Sequence, residues 1–144
     1  MIKFKYYGEA VGKGRPRVSR RGNYVHTYTP EKTRVFEEAM RFEFMASNSE
    51  PMPVYPKETP LKASVTIGVS IPKSYSKKKH ALCRDRVLTP AKKPDIDNIL
   101  KAVFDSLNGF AFADDSQIIE IYAEKFYSEE PFVEVTIDEL RCSI

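Results

Sequence analysis

The chain has 144 residues, a net charge of +3 and a hydrophobic fraction of 42%, with nine Phe and eight Tyr. This size and composition exclude a disordered chain and are typical of one globular domain, here residues 1–144, with a core of its own. No apolar run approaches 18 residues and no signal-peptide pattern is present, so we expect a cytoplasmic protein without membrane partners.

The first third of the chain predicts two strands and a helix. Ile2–Tyr7 alternates apolar and basic residues, as a half-buried strand does. In the Gly- and Arg-rich connection that follows, "RRGN" indicates a turn into a second short strand that ends near Tyr28. Thr29 and Pro30 form a typical N-cap and first helical residue, and the helix should run to about Ala46. Its predicted buried side consists of Val35, Phe36, Ala39, Met40 and Phe42.

The rest of the chain predicts one more helix, three more strands and a basic segment. After a proline-rich loop, the apolar residues of "LKASVTIGVSIP" alternate from Leu61 to Ile71, which indicates a strand. "KSYSKKKHALCRDR" indicates a short basic helix or loop. "SQIIEIYAEKFY" and "PFVEVTIDEL" are predicted to form an antiparallel pair joined at "SEEP". The order of elements predicts an α+β fold, in which helices cover one face of a mixed or antiparallel sheet. Cys83 and Cys142 lack metal-ligand spacing and are predicted to be reduced structural thiols.

Basic residues are concentrated in two segments. Residues 12–34 carry seven Lys and Arg against one acidic residue, and residues 73–93 carry eight against one. The remaining residues include eight basic and 18 acidic ones, a net charge of −10. Such segregation indicates a surface that binds a polyanion, whereas ordinary solvated lysines would scatter among acidic residues. The predicted contact residues are Lys13, Arg15, Arg17, Arg20, Arg21, Lys77, Lys78, Lys79, Arg84, Arg86, Lys92 and Lys93.

The segment "KKPDIDNILKAVFDSLNGFAFADD", residues 92–115, gathers five aspartates around a predicted helix. The helix should begin at about Asp95 to Asp97 and end at Asn108-Gly109, with an apolar face formed by Leu100, Val103, Phe104 and Leu107. Asp97, Lys101 and Asp105 are spaced four residues apart and share one edge of it. We expect the loop "FAFA" to return Asp114 and Asp115 toward the start of the helix, where the carboxylates would meet.

Converging carboxylates repel one another unless a cation lies between them, and Mg²⁺ prefers such hard oxygen ligands. Beside a basic surface, a carboxylate-bound Mg²⁺ is suited to phosphodiester hydrolysis, and Lys101 could orient the nucleophile. Each residue has an ordinary alternative: Asp95 or Asp97 as an N-cap, Asp105 as a partner of Lys101, and Asp114-Asp115 as a polar turn. An EF-hand is excluded because Ile99 and Leu100 stand where its loop needs an oxygen ligand and a glycine.

The motifs carry a resemblance to a known family. "KPDIDNILKAVFDSLNG" and "ADDSQI" resemble the signature of RusA-type Holliday junction resolvases, and "KGRPR" is similar to their basic opening motif. The resemblance, from Lys13 to about Lys125, implies that Asp95, Asp97 and Asp115 bind Mg²⁺, or Mn²⁺ in its place, with Asp114 beside them and Lys101 assisting catalysis.

The resemblance also implies a partner and a substrate. A homodimer would cut a four-way DNA junction by paired symmetric nicks, in DNA recombination and repair, and proteins of this type often travel with phages and prophages. Two alternatives remain open: a non-catalytic DNA-binding protein, and a metal-dependent nuclease that acts on other branched DNA or on RNA.

Overall fold

A four-stranded sheet and three helices form the body of the protein. The computed structural model describes residues 1–141, so Cys142 lies outside the described residues. The elements in chain order are β1 (Ile2–Tyr7), β2 (Arg17–Arg21), β3 (Tyr24–Tyr28), α1 (Glu31–Ser47), β4 (Leu61–Ser70), α2 (Lys77–Arg84), α3 (Ile96–Leu107), a 3₁₀ helix (Asp115–Gln117), β5 (Ile118–Ser128) and β6 (Phe132–Glu139). The α+β prediction is confirmed.

The sheet is mixed, with the strand order β1-β6-β4-β5. β6 pairs antiparallel with both β1 and β4, whereas β4 and β5 run parallel. The prediction that the last two strands pair with each other is wrong, because β4 lies between them. Val133, Val135 and Ile137 of β6 are fully buried, which requires a central position in the sheet.

The chain must therefore cross the end of β4 between β5 and β6, and Gly68 permits the crossing. A Cβ atom at Gly68 would lie 2.4 Å from the Phe132 ring and 3.1 Å from Ser128 Cβ. The absence of a side chain lets this connection lie directly on β4.

The helices cover one face of the sheet. Phe36, Met40 and Phe44 of α1 and Ile99, Val103 and Leu107 of α3 form a single core with the alternate residues Leu61 to Ile67 of β4. Cys83 of α2 is a buried free thiol that packs on Ile71 and Tyr127 in a smaller cluster. None of the helices within residues 1–141 has the length and hydropathy of a membrane span.

The buried side of α1 differs from the prediction. Thr33, Phe36, Met40 and Phe44 are buried, whereas Val35 and Phe42 are 52% and 68% exposed. The helix begins one residue later than predicted, with Pro30 in the N-cap position. The hydroxyl of Thr33 accepts a hydrogen bond from Gly14 N–H at 3.0 Å, which satisfies this polar side chain in its buried position.

β2 lies in the segment that was predicted to be a connection, and the remaining elements lie close to their predicted positions. α3 begins directly after Asp95 and ends before Asn108, and the segment 77–84 is a helix with Ser76 as its N-cap. β2 and β3 form a hairpin that turns at Gly22, whose φ of 60° suits glycine. This hairpin is a separate two-stranded sheet, and nearly all of its side chains are exposed.

Candidate active site and DNA-binding surface

The start of α3 presents two free carboxylates. Asp95 holds the N-cap position, but its side chain accepts no capping hydrogen bond, and Asp97 lies exposed in the first turn. The positive end of the helix dipole stabilises carboxylates at this place. Lys101 is exposed one turn later. Within residues 1–141 none of these three side chains forms an ion pair, so all three are available to a ligand.

A groove of about 530 Å³ runs beside Asp95. One wall is formed by residues 9–13 of the loop after β1. The other is formed by Pro94 and Asp95, which precede α3, and by Asn98 in its first turn. Lys32 and Lys93 also line it. The two basic segments of the sequence therefore meet at this groove, next to a carboxylate.

Lys125 of β5 fixes the segment that precedes α3. Its Nζ donates hydrogen bonds to the carbonyl oxygens of Lys92 at 2.6 Å and Pro94 at 3.0 Å. The start of α3, and with it Asp95, is thereby attached to the second half of β5. The sequence does not reveal this role, because the alternation of a strand does not indicate which groups a lysine in it will contact.

The motif Gly12-Lys13-Gly14 is a packing feature. Lys13 N–H donates to the Asn98 carbonyl at 2.9 Å, and Cβ atoms at Gly12 and Gly14 would lie 3.1 Å from Asn98 Cβ and 2.8 Å from Pro30 Cγ. The glycines therefore allow the loop to lie close to α1 and α3.

Lys13 itself was predicted to contact DNA, and in the structure its ammonium group pairs with two carboxylates of the protein. Its Nζ lies 2.5 Å from Glu37 Oε1 and 3.1 Å from Asp105 Oδ2, with the side chain only 19% exposed. Burial opposes the charged form, but Glu37 and Asp105 outweigh it, so the pKa of Lys13 is raised above its ordinary 10.5. Lys13 links α1 to α3, and Asp105 pairs with Lys13.

Asp114 and Asp115 lie at the opposite end of α3. After the helix, Gly109 adopts a φ of 81° and its N–H bonds to the Phe112 carbonyl, which closes a tight turn. Asp115 N–H then donates to Asn108 Oδ1 at 2.9 Å. Asp115 is thus attached to the C-terminal end of α3, and the loop does not return it to the helix start.

Asp114 is occupied as the N-cap of the 3₁₀ helix. Its carboxylate accepts from Ser116 N–H at 3.1 Å, and Gln117 Oε1 accepts from Asp114 N–H at 2.9 Å, a reciprocal capping box. Hydrogen bonds from the side chain and backbone of Ser116 lower the pKa of Asp114. Of the two aspartates, Asp115 therefore has the freer carboxylate.

Asp95 and Asp97 lie far from Asp115 in the fold. A helix rises about 1.5 Å per residue, which puts the Cα atoms of Asp97 and Asn108 about 16 Å apart along the axis. An extended strand rises about 3.3 Å per residue, so Ile118, close to Asp115, and Lys125, close to the start of α3, are about 23 Å apart along β5. Within residues 1–141 no three His, Cys, Asp or Glu side chains are placed to hold a metal ion. The protein therefore presents carboxylates of the right chemistry for a divalent cation at two separate places, one at each end of α3.

The side chains predicted to contact DNA differ in whether they already have partners within the protein. Arg15, Arg17, Arg20 and Arg21 are exposed on or before the hairpin, and they form no ion pair within the described part of the chain. Lys77, Lys78, Lys92 and Lys93 are likewise exposed.

Lys92 and three others have partners in the protein, and the Lys92 ammonium lies 5.8 Å from the centroid of the Tyr127 ring. Lys79 lies over the Tyr75 ring, Arg84 Nε is 3.5 Å from Glu129 Oε1, and Arg86 stacks on Phe126 at 3.8 Å from the ring centroid.

The hairpin also carries an aromatic row that was not among the predicted site residues. Tyr24, His26 and Tyr28 alternate along β3 and so lie on one face, opposite Arg21, Ser19 and Arg17 of β2. The His26 and Tyr28 rings are stacked with centroids 6.1 Å apart. The aromatic rings at every second position of "YVHTY" are the sequence feature from which this row could have been predicted.

Comparison with known proteins gives the family. The family Endodeoxyribonuclease RusA matches residues 7–138, nearly the whole chain. The protein therefore belongs to the RusA endodeoxyribonuclease family, a family of Holliday junction resolving endonucleases that are generally dependent on a divalent metal. It is also 41% identical over 141 residues to the uncharacterized protein YqaN of Bacillus subtilis (strain 168), and the match covers 96% of each chain.

Proposed function

We propose that the protein is a Mg²⁺-dependent endonuclease that resolves four-way DNA junctions by paired symmetric nicks. The observation that carries this proposal is the pair of free carboxylates, Asp95 and Asp97, beside a lysine-lined groove in a chain of the RusA family. A basic groove attracts the phosphate backbone, and hard carboxylate oxygens are what Mg²⁺ prefers.

Each residue at the start of α3 has a defined part in this proposal. Asp95 and Asp97, together with Asp115, would hold Mg²⁺, or Mn²⁺ in its place. Lys101, one turn beyond Asp97, would place its ammonium group where the negative charge of the reacting phosphate increases. The exposed arginines of the hairpin and the lysines of α2 would bind the DNA backbone and orient the junction.

A homodimer suits this substrate. A four-way junction has two-fold symmetry, so two sites related by a two-fold axis can cut strands of the same polarity at equivalent positions. The nicks are then paired because both sites belong to one particle.

The test is the substitution Asp97→Asn. We expect junction cleavage in Mg²⁺ to fall by at least about 100-fold, as when an enzyme loses a preorganised electrostatic group. Junction affinity should stay the same or increase, because the substitution removes a negative charge near phosphate. Asp138→Asn is the matched control, since it removes the same charge from β6, and it should cleave normally. Normal cleavage by Asp97→Asn would refute the assignment.

A second candidate function rests on the separation of Asp95 and Asp97 from Asp115 within one protomer. A non-catalytic DNA-binding protein would need no shared metal, and Mg²⁺ would then act only by ionic screening. A labelled four-way junction incubated with and without Mg²⁺ distinguishes the two functions, because only the endonuclease yields nicked strands. Competition by flap DNA and RNA in the same assay reports the preferred branched substrate.

A further inference from the structure

The two faces of the hairpin formed by β2 and β3 differ in chemistry. Residues that lie opposite each other in an antiparallel pair have their side chains on the same face. One face therefore combines three aromatic rings, two arginines and a serine, which are Arg17, Ser19, Arg21, Tyr24, His26 and Tyr28. The opposite face has no aromatic ring, and its side chains are Val18, Arg20, Val25 and Thr27.

The aromatic row takes no part in the core. None of its rings belongs to the hydrophobic clusters of residues 1–141, and Tyr24 and Tyr28 are 82% and 42% exposed. The planes of the His26 and Tyr28 rings are within 14° of parallel. Exposed rings gain the free energy of burial only when a ligand covers them. The row is therefore available as a platform for a flat ligand.

A groove along the row gives such a ligand room. Its volume is about 390 Å³, and it is lined by Ser19, Arg21 and the three rings. Sites for small organic ligands have volumes of about 300–1,000 Å³, so a nucleobase fits this space.

The charge of the hairpin and its flanks selects the ligand. Residues 10–30 contain five basic residues and neither Asp nor Glu. Arg17 and Arg21 lie on the same face as the rings and form no ion pair within the part of the chain that the structure describes. Such a surface repels cations and attracts polyanions. Aromatic rings beside guanidinium groups bind single-stranded nucleic acid, since phosphates contact the cations and bases stack on the rings.

We propose that the hairpin is a binding site for unpaired nucleotides of branched DNA. The bases stack on Tyr24, His26 and Tyr28, and Arg17 and Arg21 bind the phosphates. The choice of DNA rests on the proposed nuclease function, whereas the stacking needs neither the carboxylates of α3 nor a metal ion. A four-way junction with unpaired bases at its branch point is then bound more tightly than a fully paired junction, whose bases remain stacked on one another.

Binding of a bare strand tests the stacking. The probes are a fluorescently labelled oligo-dT strand and an abasic strand of the same length, which has the same phosphates without bases. Fluorescence anisotropy in EDTA measures both affinities. We expect the wild-type protein to bind oligo-dT about tenfold more tightly, or more, because each stacked base adds to the affinity. Equal affinities for the two strands would overturn the inference, since phosphate contacts alone would then account for binding.

Substitutions at Tyr24 locate the stacking on the row. Tyr24→Leu removes the ring but keeps an apolar side chain and the net charge. It should weaken oligo-dT binding by about tenfold and leave binding of the abasic strand unchanged. Tyr24→Phe keeps the ring and should bind as the wild type does. Val25→Ala, on the face without rings, is the matched control and should also bind normally. An equal loss in Val25→Ala would contradict the inference, because hairpin stability would then explain both results.

Competition identifies the ligand. A four-way junction with unpaired thymines at its branch point should displace oligo-dT at a lower concentration than a fully paired junction, and Tyr24→Leu should lose this preference. If oligo-U displaces the probe at a lower concentration than unlabelled oligo-dT does, the ligand is RNA and the inference is wrong.

The same measurements separate this inference from the proposed function. Normal junction cleavage without a preference for oligo-dT over the abasic strand overturns only the stacking site. A clear preference in a protein that does not cut junctions refutes only the nuclease function.

Discussion

At the scale of single residues, Lys13 shows how a motif can have a structural role. Its ammonium lies between Glu37 and Asp105 and joins the loop after β1 to two helices. The flanking glycines leave room for this, because Cβ atoms there would contact Pro30 and Asn98 closely. A basic motif in a DNA-acting protein invites a phosphate-binding interpretation, but this lysine is already neutralised inside the fold.

The first residue-scale prediction concerns stability. Lys13→Met keeps the aliphatic stem and leaves Glu37 and Asp105 facing each other without a cation. We expect the free energy of unfolding to fall by about 1–3 kcal/mol, between the values for exposed and buried ion pairs. Urea unfolding at pH 7 measures the change, and Lys57→Met, at an exposed position, should change little. An unaltered urea midpoint for Lys13→Met would contradict the linking role.

The same ion pairs predict a pH dependence. The pKa of Lys13 is raised in the folded state, so its stabilising contribution is fully present below the unfolded value of 10.5. The contribution is lost as pH rises through the higher folded value. The stability difference between wild type and Lys13→Met should therefore be constant across neutral pH and decrease only in strong alkali. A difference that already disappears near pH 8 would assign the effect to another group.

At the scale of elements, the position of α3 relative to β5 decides where the carboxylates lie. Lys125 holds the residues before α3, and Asn108 holds Asp115 after it. The helix therefore runs along the sheet with one acidic group at each end. Gln117 fixes the second end further, because its side-chain amide donates to the carbonyl oxygens of Pro56 and Thr59.

Lys125→Met tests whether this attachment positions the site. Two carbonyl oxygens lose their donor, so the segment before Asp95 is released from β5. We expect junction cleavage to fall by about tenfold or more, because small displacements of catalytic groups are costly, while junction affinity changes little. Lys62→Met on the neighbouring strand is the control, since it removes an equal charge from an exposed position. A parallel loss of affinity in Lys125→Met would instead identify Lys125 as a DNA contact.

At the scale of the whole molecule, the two basic segments of the chain form two exposed surfaces, the hairpin and α2. The hairpin projects its arginines and aromatic row away from the body, and α2 presents Lys77 and Lys78. Phosphate contacts make affinity depend on salt, because each neutralised phosphate releases condensed counterions. The aromatic row adjoining these arginines is of the kind that stacks on unpaired bases.

Salt dependence of junction binding tests the hairpin. Arg17→Ala and Arg21→Ala should each weaken binding and reduce the slope of log K against log salt by about 0.9, the effect of one phosphate contact. Arg34→Ala is the matched control, because this exposed arginine pairs with Glu31 and Glu38 of its own helix. Equal slopes for Arg21→Ala and Arg34→Ala would show that net charge, and not the hairpin, determines affinity.

The periodicity of apolar residues, together with the prolines and glycines that end helices and strands, was sufficient to predict most elements and the acidic helix. Leu61 to Ile67 alternate because a strand with one buried face must do so, and α3 is bounded by Pro94 and by Asn108-Gly109. The sequence by itself determined the α+β class, the basic segments and the resemblance to the RusA family, since all three depend on residues near one another in the chain.

Contacts between distant segments were decided only by the tertiary structure. Three features depend on partners that lie 19 or more residues away in the chain. They are the position of β6 between β1 and β4, the burial of Thr33 in place of Val35, and the ion pairs of Lys13 with Glu37 and Asp105. The same is true of the carboxylates. The local spacing of the sequence places five aspartates near one helix. The direction of α3 along β5, however, puts Asp115 at the C-terminal end of the helix, away from Asp95 and Asp97. Strand pairing fixes such long-range positions, and no local pattern encodes them.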